Sequence, residues 1–282
     1  MSSAAPSPAE RACALAALRT RATGCTRCPE LVRARSQVVF ATGPADADLL
    51  LVGEAPGLVE DRDGVLVIGP SGQLLDDALA AIGRSRADVA IVTVVKCRTP
   101  ENRSPLRSEI DHCREYLLEQ IALIAPVVVC PLGSFATRVL RGDAVPLRTL
   151  RGTPEVRTLG ARAVRLYPVL HPAAALYTPA SVDQFRGDIA ALPGLLRLGP
   201  PPQPEVVVDV EAGDEDANPI DDAGTRLPSA GAGRTGVEAP PSPQQPDEKS
   251  PANPRAADPP ADEGAPADVA DDAPEHHQLG LF

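Results

Sequence analysis

The chain has 282 residues and a formal net charge of −11, divided unevenly: residues 1–199 hold 23 basic against 20 acidic side chains, residues 200–282 hold 4 against 18. No run approaches the ~20 apolar residues of a membrane span, because the longest candidate, Ile121 to Leu132, is broken by Pro126 and Pro131. Six cysteines in a chain with no charged-then-apolar leader read as thiols rather than a disulfide framework, so a cytoplasmic protein without membrane contact is expected.

In chain order, an alanine-rich segment containing Cys13 predicts a first helix, followed by Cys25-x2-Cys28. Aliphatic or β-branched runs at Asp48 to Gly53, Val89 to Val95, Val127 to Pro131 and Val164 to Leu170 have the form of buried parallel strands. Helical spacing marks Gln73 to Ile82, Ser108 to Ile124, Ser134 to Leu140 and Val182 to Leu196. The alternation predicts an α/β domain over residues 1–199, a three-layer α/β/α sandwich around a mostly parallel four-stranded sheet. Ligands of such sheets bind beyond the carboxyl ends of the strands. Those ends carry Gly53-Glu54-Ala55-Pro56-Gly57, Lys96-Cys97-Arg98, Leu132-Gly133-Ser134 and His171-Pro172. Residues 200–282 hold 16 of the 32 prolines, and Phe282 is their one aromatic residue. So little apolar surface cannot offset the entropy of ordering, and a disordered acidic tail is expected.

The first chemical signal is in the cysteines. Cys25 and Cys28 can grip a metal centre from one turn, and Cys97-x15-Cys113 supplies a second pair. Four thiolates suit zinc and an iron-sulfur cluster alike. Cys130 lies in an apolar run and reads as core; Cys13 has no assigned role.

The ordered motifs resemble those of the iron-sulfur, family 4 type of uracil-DNA glycosylase. They are Cys25-x2-Cys28, Gly53 to Gly57, Glu60-Asp61-x2-Gly64, Ser71-Gly72-x-Leu74-Leu75, Val95-Lys96-Cys97-Arg98 with Glu101-Asn102-Arg103, Cys113, Leu132-Gly133 and His171-Pro172-Ala173-Ala174. The resemblance implies a [4Fe-4S] cluster on Cys25, Cys28, Cys97 and Cys113. It also implies a monomeric base-excision repair enzyme that flips uracil or another deaminated base out of DNA, hydrolyses its N-glycosidic bond and leaves an abasic site. His171 would donate to the departing base, a contribution of ~3–4 kcal/mol for a fixed donor, and Glu54 would orient or deprotonate the water. Gly53, Ala55, Val67 and Thr93 fall at the base pocket. Gly57, Gly72, Gly133, Ser134 and Pro172, at or near helix starts, are expected DNA contacts with Arg98 and Arg103. Lys96 is the one lysine of residues 1–199, and with it fixed beside Cys97 no amine is free for a lyase route.

Val67 stands where the family carries a Phe that stacks on the flipped base, and Thr93 where it carries an Asn that pairs with the uracil edge. One hydroxyl in place of a donor-acceptor pair weakens selection for uracil. An altered-specificity or non-catalytic DNA-binding paralogue is therefore an alternative reading, and a zinc-bearing nucleic-acid-binding module is another. The terminal Gln278-Leu279-Gly280-Leu281-Phe282 resembles the pentapeptide by which bacterial replication and repair proteins dock on the sliding clamp. Gln278 would be its polar anchor, with Leu279, Leu281 and Phe282 filling an apolar pocket. A flexible tail of this length reaches roughly 50 Å, which would keep the enzyme near the nucleoid.

Overall fold

A computed structural model describes residues 6–204. The expected disordered tail from residue 205 on and its terminal motif, Gln278, Leu279, Leu281 and Phe282, lie outside the described residues. Helix α1 (Pro8–Thr23) opens on a capping box in which Ser7 Oγ accepts from the Glu10 amide and the Glu10 carboxylate accepts from the Ser7 amide. There follow α2 (Pro29–Ala34), β1 (Leu49–Gly53), α3 (Leu58–Asp63), α4 (Gly69–Ala81), β2 (Ala90–Thr93), α5 (Arg107–Ile124) and β3 (Val128–Pro131). The chain continues with α6 (Gly133–Arg141), α7 (Leu147–Leu150), β4 (Glu155–Leu159), β5 (Arg162–Leu166), α8 (Pro172–Ala175) and α9 (Pro179–Arg197).

The strands form one sheet in the order β2-β1-β3-β5-β4, parallel except for β4, which runs antiparallel to β5. The expected sandwich is present, with five strands instead of four. The added strand, β4, sits at the sheet edge with an inverted pattern: Val156 is exposed, while Glu155 and Arg157 are half-buried and join Arg141 and Asp143 in ion pairs. An edge strand buried on one side carries no continuous apolar run to be read.

All five residues of β1 are buried because both of its faces are covered. Leu50 and Val52 pack with Leu18, Leu117 and Ile121 from α1 and α5, while Leu49 and Leu51 pack with Leu75, Leu79, Phe185 and Ile189 from α4 and α9. Each such side chain contributes about 1.5–3 kcal/mol of burial. On α5 the buried positions Glu109, Cys113, Tyr116, Leu117, Gln120, Ile121 and Ile124 form one helical stripe, so the same periodicity that anchors the helix turns Cys113 inward.

The composition break at residue 200 precedes the end of the fold. Gln203 Oε1 accepts from the Ala163 amide at 3.2 Å, its Nε2 donates to the Ala163 carbonyl at 3.1 Å, and Arg165 Nε donates to Gly199 O at 3.1 Å. Residues 200–204 thus continue the domain. No helix among the described residues is long and apolar enough to cross a membrane. With β2 on one side of β1 and β3 on the other, strand order reverses at β1, which opens a crevice at the carboxyl ends of β1 and β3.

Candidate active site

The turn after β1 is fixed by the segment after β2. The Val94 and Val95 amides donate to the Gly53 and Glu54 carbonyls at 2.9 and 3.0 Å, carrying the β1–β2 pairing beyond the strands. Glu54 is thereby held at the rim with its side chain half-buried. Burial pushes its pKa above the ordinary carboxylate value, opposed by the Ser104 side chain and the Arg138 guanidinium. Ser104 and Arg138 had no sequence signal, since their closeness to Glu54 exists only in the folded chain.

His171 caps α8, following β5. The Gly133 amide donates to the Val169 carbonyl at 2.9 Å, joining the start of α6 to the segment that ends in His171. Gly133 has φ +84°, a conformation that favours glycine, and a Cβ there would lie 3.1 Å from His171 Cβ, close enough to press on the histidine. His171 Nδ1 accepts from the Ala173 amide at 3.2 Å, which leaves the ring hydrogen on Nε2 in the neutral form. Burial lowers the His171 pKa to about 4. At neutral pH the residue is an uncharged donor through Nε2.

Val67 is buried with φ +53°, an outlier conformation for a β-branched residue. Its amide donates to Glu60 Oε1 and its carbonyl accepts from Arg86, while Glu60 Oε2 takes the Gly57 amide at 2.6 Å. Arg86 also holds the Leu66 carbonyl at 2.9 Å and Asp76 at 2.5 Å. Gly72 leaves room for this contact, because a Cβ there would come within 2.5 Å of the Val67 carbonyl oxygen. Glu60 ties this strained residue to Gly57 of the turn that carries Glu54, while Arg86 fastens its carbonyl to α4. Thr93, the last residue of β2, pairs in register with Gly53; a Cβ on Gly53 would stand 3.4 Å from its Cγ2. Ala55 is half-buried on the same turn.

Cys25 follows α1, Cys28 caps α2, Cys97 follows β2 and Cys113 lies on α5; all four join one apolar cluster. Their thiols act on one another. Cys28 is pushed up to about 11, first by burial and then by the neighbouring Cys113 and Cys97 thiolates. Cys97 and Cys113 are raised chiefly by burial, against the favourable pull of Arg35 and Lys96 respectively. For Cys25 the rise from burial is outweighed by hydrogen bonds from the Arg27 amide and side chain and from Tyr116. Arg35 donates to Cys97 Sγ at 3.0 Å and to the Cys25 carbonyl at 2.8 Å, and the Lys96 amide donates to Cys113 Sγ at 3.4 Å. Donors and cations aimed at sulfur suit thiolate ligands. Among the described residues no three His, Cys, Asp or Glu groups are gathered so as to hold a single metal ion. Cys130 is core, as expected, and Cys13 is exposed.

Two expected DNA contacts are half-buried and partnered within the chain. Arg98 donates to the Ala34 carbonyl at 2.6 Å and faces buried Asp61 at 3.6 Å; Arg103 holds Glu109 at 2.7 Å and Glu30 at 3.0 Å. Arg98 thereby links the segment after Cys97 to α2 and α3, and Arg103 links it to α2 and to the first turn of α5. Gly57 caps α3, Gly133 begins α6 with Ser134 exposed beside it, Gly72 is buried in the first turn of α4, and Pro172 is buried at the start of α8.

Residues 40–192 match the model of the uracil DNA glycosylase superfamily. The chain is 37% identical over 170 residues to the Type-4 uracil-DNA glycosylase of Pyrobaculum aerophilum, covering 59% of this chain and 86% of that relative. It is 40% identical over 153 residues to the Type-4 uracil-DNA glycosylase of Thermotoga maritima, covering 54% and 78%. It is 30% identical over 211 residues to the Type-5 uracil-DNA glycosylase of Pyrobaculum aerophilum, covering 63% and 88%.

Proposed function

The chain belongs to the uracil-DNA glycosylase superfamily, and on that premise we propose that it is a DNA repair hydrolase that releases uracil or another deaminated base from DNA, with Glu54 and His171 as its catalytic pair. The observation that carries the role of His171 is its state, with Nδ1 occupied by the Ala173 amide and the charged form disfavoured. A neutral Nε2–H is a fixed donor for negative charge that develops on a departing base. The Glu54 carboxylate accepts a hydrogen bond from the attacking water and holds it against the sugar. Gly53, Ala55, Val67 and Thr93 border the flipped base, and the backbone at Gly57, Gly72, Gly133, Ser134 and Pro172 approaches the phosphates, where helix starts favour anions.

Cys25, Cys28, Cys97 and Cys113 would hold a [4Fe-4S] cluster, whose contribution when bound is to cross-link the segments around α1, α2, β2 and α5. The fit rests on four mutually interacting thiols with Arg35, Arg27 and Lys96 beside them. The acidic segment beyond the domain would add a clamp-docking peptide, Gln278, Leu279, Leu281 and Phe282, on an enzyme that works as a cytoplasmic monomer.

The test is base release from a duplex carrying one uracil. His171→Ala lowers the single-turnover rate about 100-fold or more, the effect of one lost oxyanion donor, with duplex affinity within a few-fold of the parent. Equal losses of rate and affinity would remove His171 from the chemistry.

A further inference from the structure

We infer that Lys96 and Arg35 are the counter-charges of the four-cysteine centre, one for each unit of its negative charge, and that Lys96 in particular raises its reduction potential. The inference rests on the cluster reading above and not on the identity of the released base. Lys96 is 2% exposed, and the hydrogen bond of its ammonium goes to the neutral Thr93 carbonyl. Arg35 is half-buried and directs its donors to Cys97 Sγ at 3.0 Å and to the Cys25 carbonyl at 2.8 Å. Neither cation meets a carboxylate among the described residues.

The other cations around the centre do. Arg27 pairs with Glu115 at 2.8 Å, Arg98 faces Asp61 at 3.6 Å, and Arg103 holds Glu109 at 2.7 Å. Two positive charges are therefore left over where the four cysteines join one apolar cluster. A buried charge with no opposite charge is costly, and native folds pair it. Methionine would fill the place of Lys96 with a stem of similar length and no charge, so an ammonium kept there is accounted for by an anion beside it. Burial works against the Lys96 charge, and the attraction of Cys113 and Cys97 works for it. The backbone points the same way: the Lys96 amide donates to Cys113 Sγ at 3.4 Å, and Cys97 is the next residue.

Four neutral thiols would leave both cations unanswered. Four thiolates around a [4Fe-4S] core of charge 2+ make a centre of charge 2−, which Lys96 and Arg35 balance. The balance holds at that oxidation level alone. One electron gained adds a negative charge without a partner, and one electron lost leaves a positive charge in excess. Of the two residues Lys96 is the stronger lever, since a sealed charge is screened far less than a half-exposed one. Its bond to the Thr93 carbonyl fastens the ammonium to the end of β2, so the charge cannot swing out to solvent. Both are positioning residues that act through the cluster.

The experiment compares the full chain, purified with its iron, with the variants Lys96→Met, Arg35→Gln and Arg35→Lys. Iron per chain and the visible spectrum establish that the centre is loaded. The midpoint of its one-electron couple is then read by voltammetry at fixed pH, and iron loss is followed in excess chelator. Removing a positive charge favours the more oxidised level, so Lys96→Met should lower the midpoint by at least about 59 mV, a tenfold change in the one-electron equilibrium. Iron should also leave the variant about tenfold faster, as when an outer partner of a metal site is lost. Arg35→Gln should shift the midpoint the same way by a smaller amount, and Arg35→Lys, which keeps the charge, should recover at least half of that shift. If Lys96→Met takes up no iron, the two Arg35 variants decide by the same readout. A loaded Lys96→Met with the parent's midpoint overturns the inference, as does an Arg35→Lys shifted as far as Arg35→Gln. A parent that binds no iron removes the cluster reading and this inference together, whereas the glycosylase reading stands or falls separately, on base release from the uracil duplex.

Discussion

At the scale of single residues, the two members of the proposed catalytic pair, Glu54 and His171, are displaced from their ordinary pKa values in opposite directions. Burial raises Glu54 and lowers His171 to about 4, and in both cases the neutral form gains because charge is poorly solvated at the rim. Glu54 must be ionised to hold the water, whereas His171 must be neutral, a state it keeps above about pH 4. The acid limb of kcat/KM should therefore fall as pH drops through the raised Glu54 value, and no step should occur near 6.5, the ordinary histidine value. Single-turnover rates from pH 4 to 8 decide this. A loss centred near 6.5 that disappears in His171→Gln would mean that the ring titrates in the working range. The sequence named Glu54 and His171 from their turns, but Ser104, Arg138 and the Ala173 amide, which set their protonation, come from tertiary contacts.

At the scale of elements, the junction of β3 with α6 decides where His171 stands. Gly133 combines a left-handed backbone with an approach so close that an added Cβ would stand 3.1 Å from His171 Cβ and push the histidine by a few tenths of an ångström. Gly133→Ala should cost about 1–2 kcal/mol for the backbone conformation alone. For a domain near 200 residues that lowers the melting temperature by roughly 2–8 °C. Base release should fall further than this loss of folded protein explains, because the added methyl displaces His171; an unchanged rate per folded molecule would show that the junction does not position the ring. The strands β1, β2 and β3 were legible as apolar runs since both faces of the sheet are covered there, whereas β5 is Arg162–Leu166, two residues earlier than the run from Val164 to Leu170 suggests, with Arg162 and Arg165 half-buried. β4 was not legible, because its aliphatic residue faces solvent and its half-buried residues are charged.

At the scale of the whole molecule, four cysteines from widely separated segments meet in one apolar cluster, with Lys96 tying that cluster to the strand that ends at Thr93. Cys113→Ser in the full chain should lower bound iron and visible absorbance together and reduce the unfolding temperature, since metal ligation and folding are linked. Parent protein that carries zinc and no iron would refute the cluster. In the terminal peptide, Leu281→Ala with Phe282→Ala should abolish co-elution with a sliding clamp while leaving base release from short duplexes within about twofold, as expected when tethering alters effective concentration rather than chemistry. Unchanged co-elution would exclude the peptide as the anchor. By itself the sequence determined the α/β layers, the four-cysteine set and the turns bearing Glu54 and His171, because periodicity and motif spacing are local properties written in order along the chain. Only the tertiary structure decided that Arg98 pairs with Asp61 and Arg103 with Glu30 and Glu109, that Val67 is held in a left-handed conformation by Glu60 and Arg86, and that the Thr93 hydroxyl is left without a partner. Each of those depends on which distant groups arrive beside a side chain, and hydrogen-bond partners, burial and charge balance are settled only when the layers close.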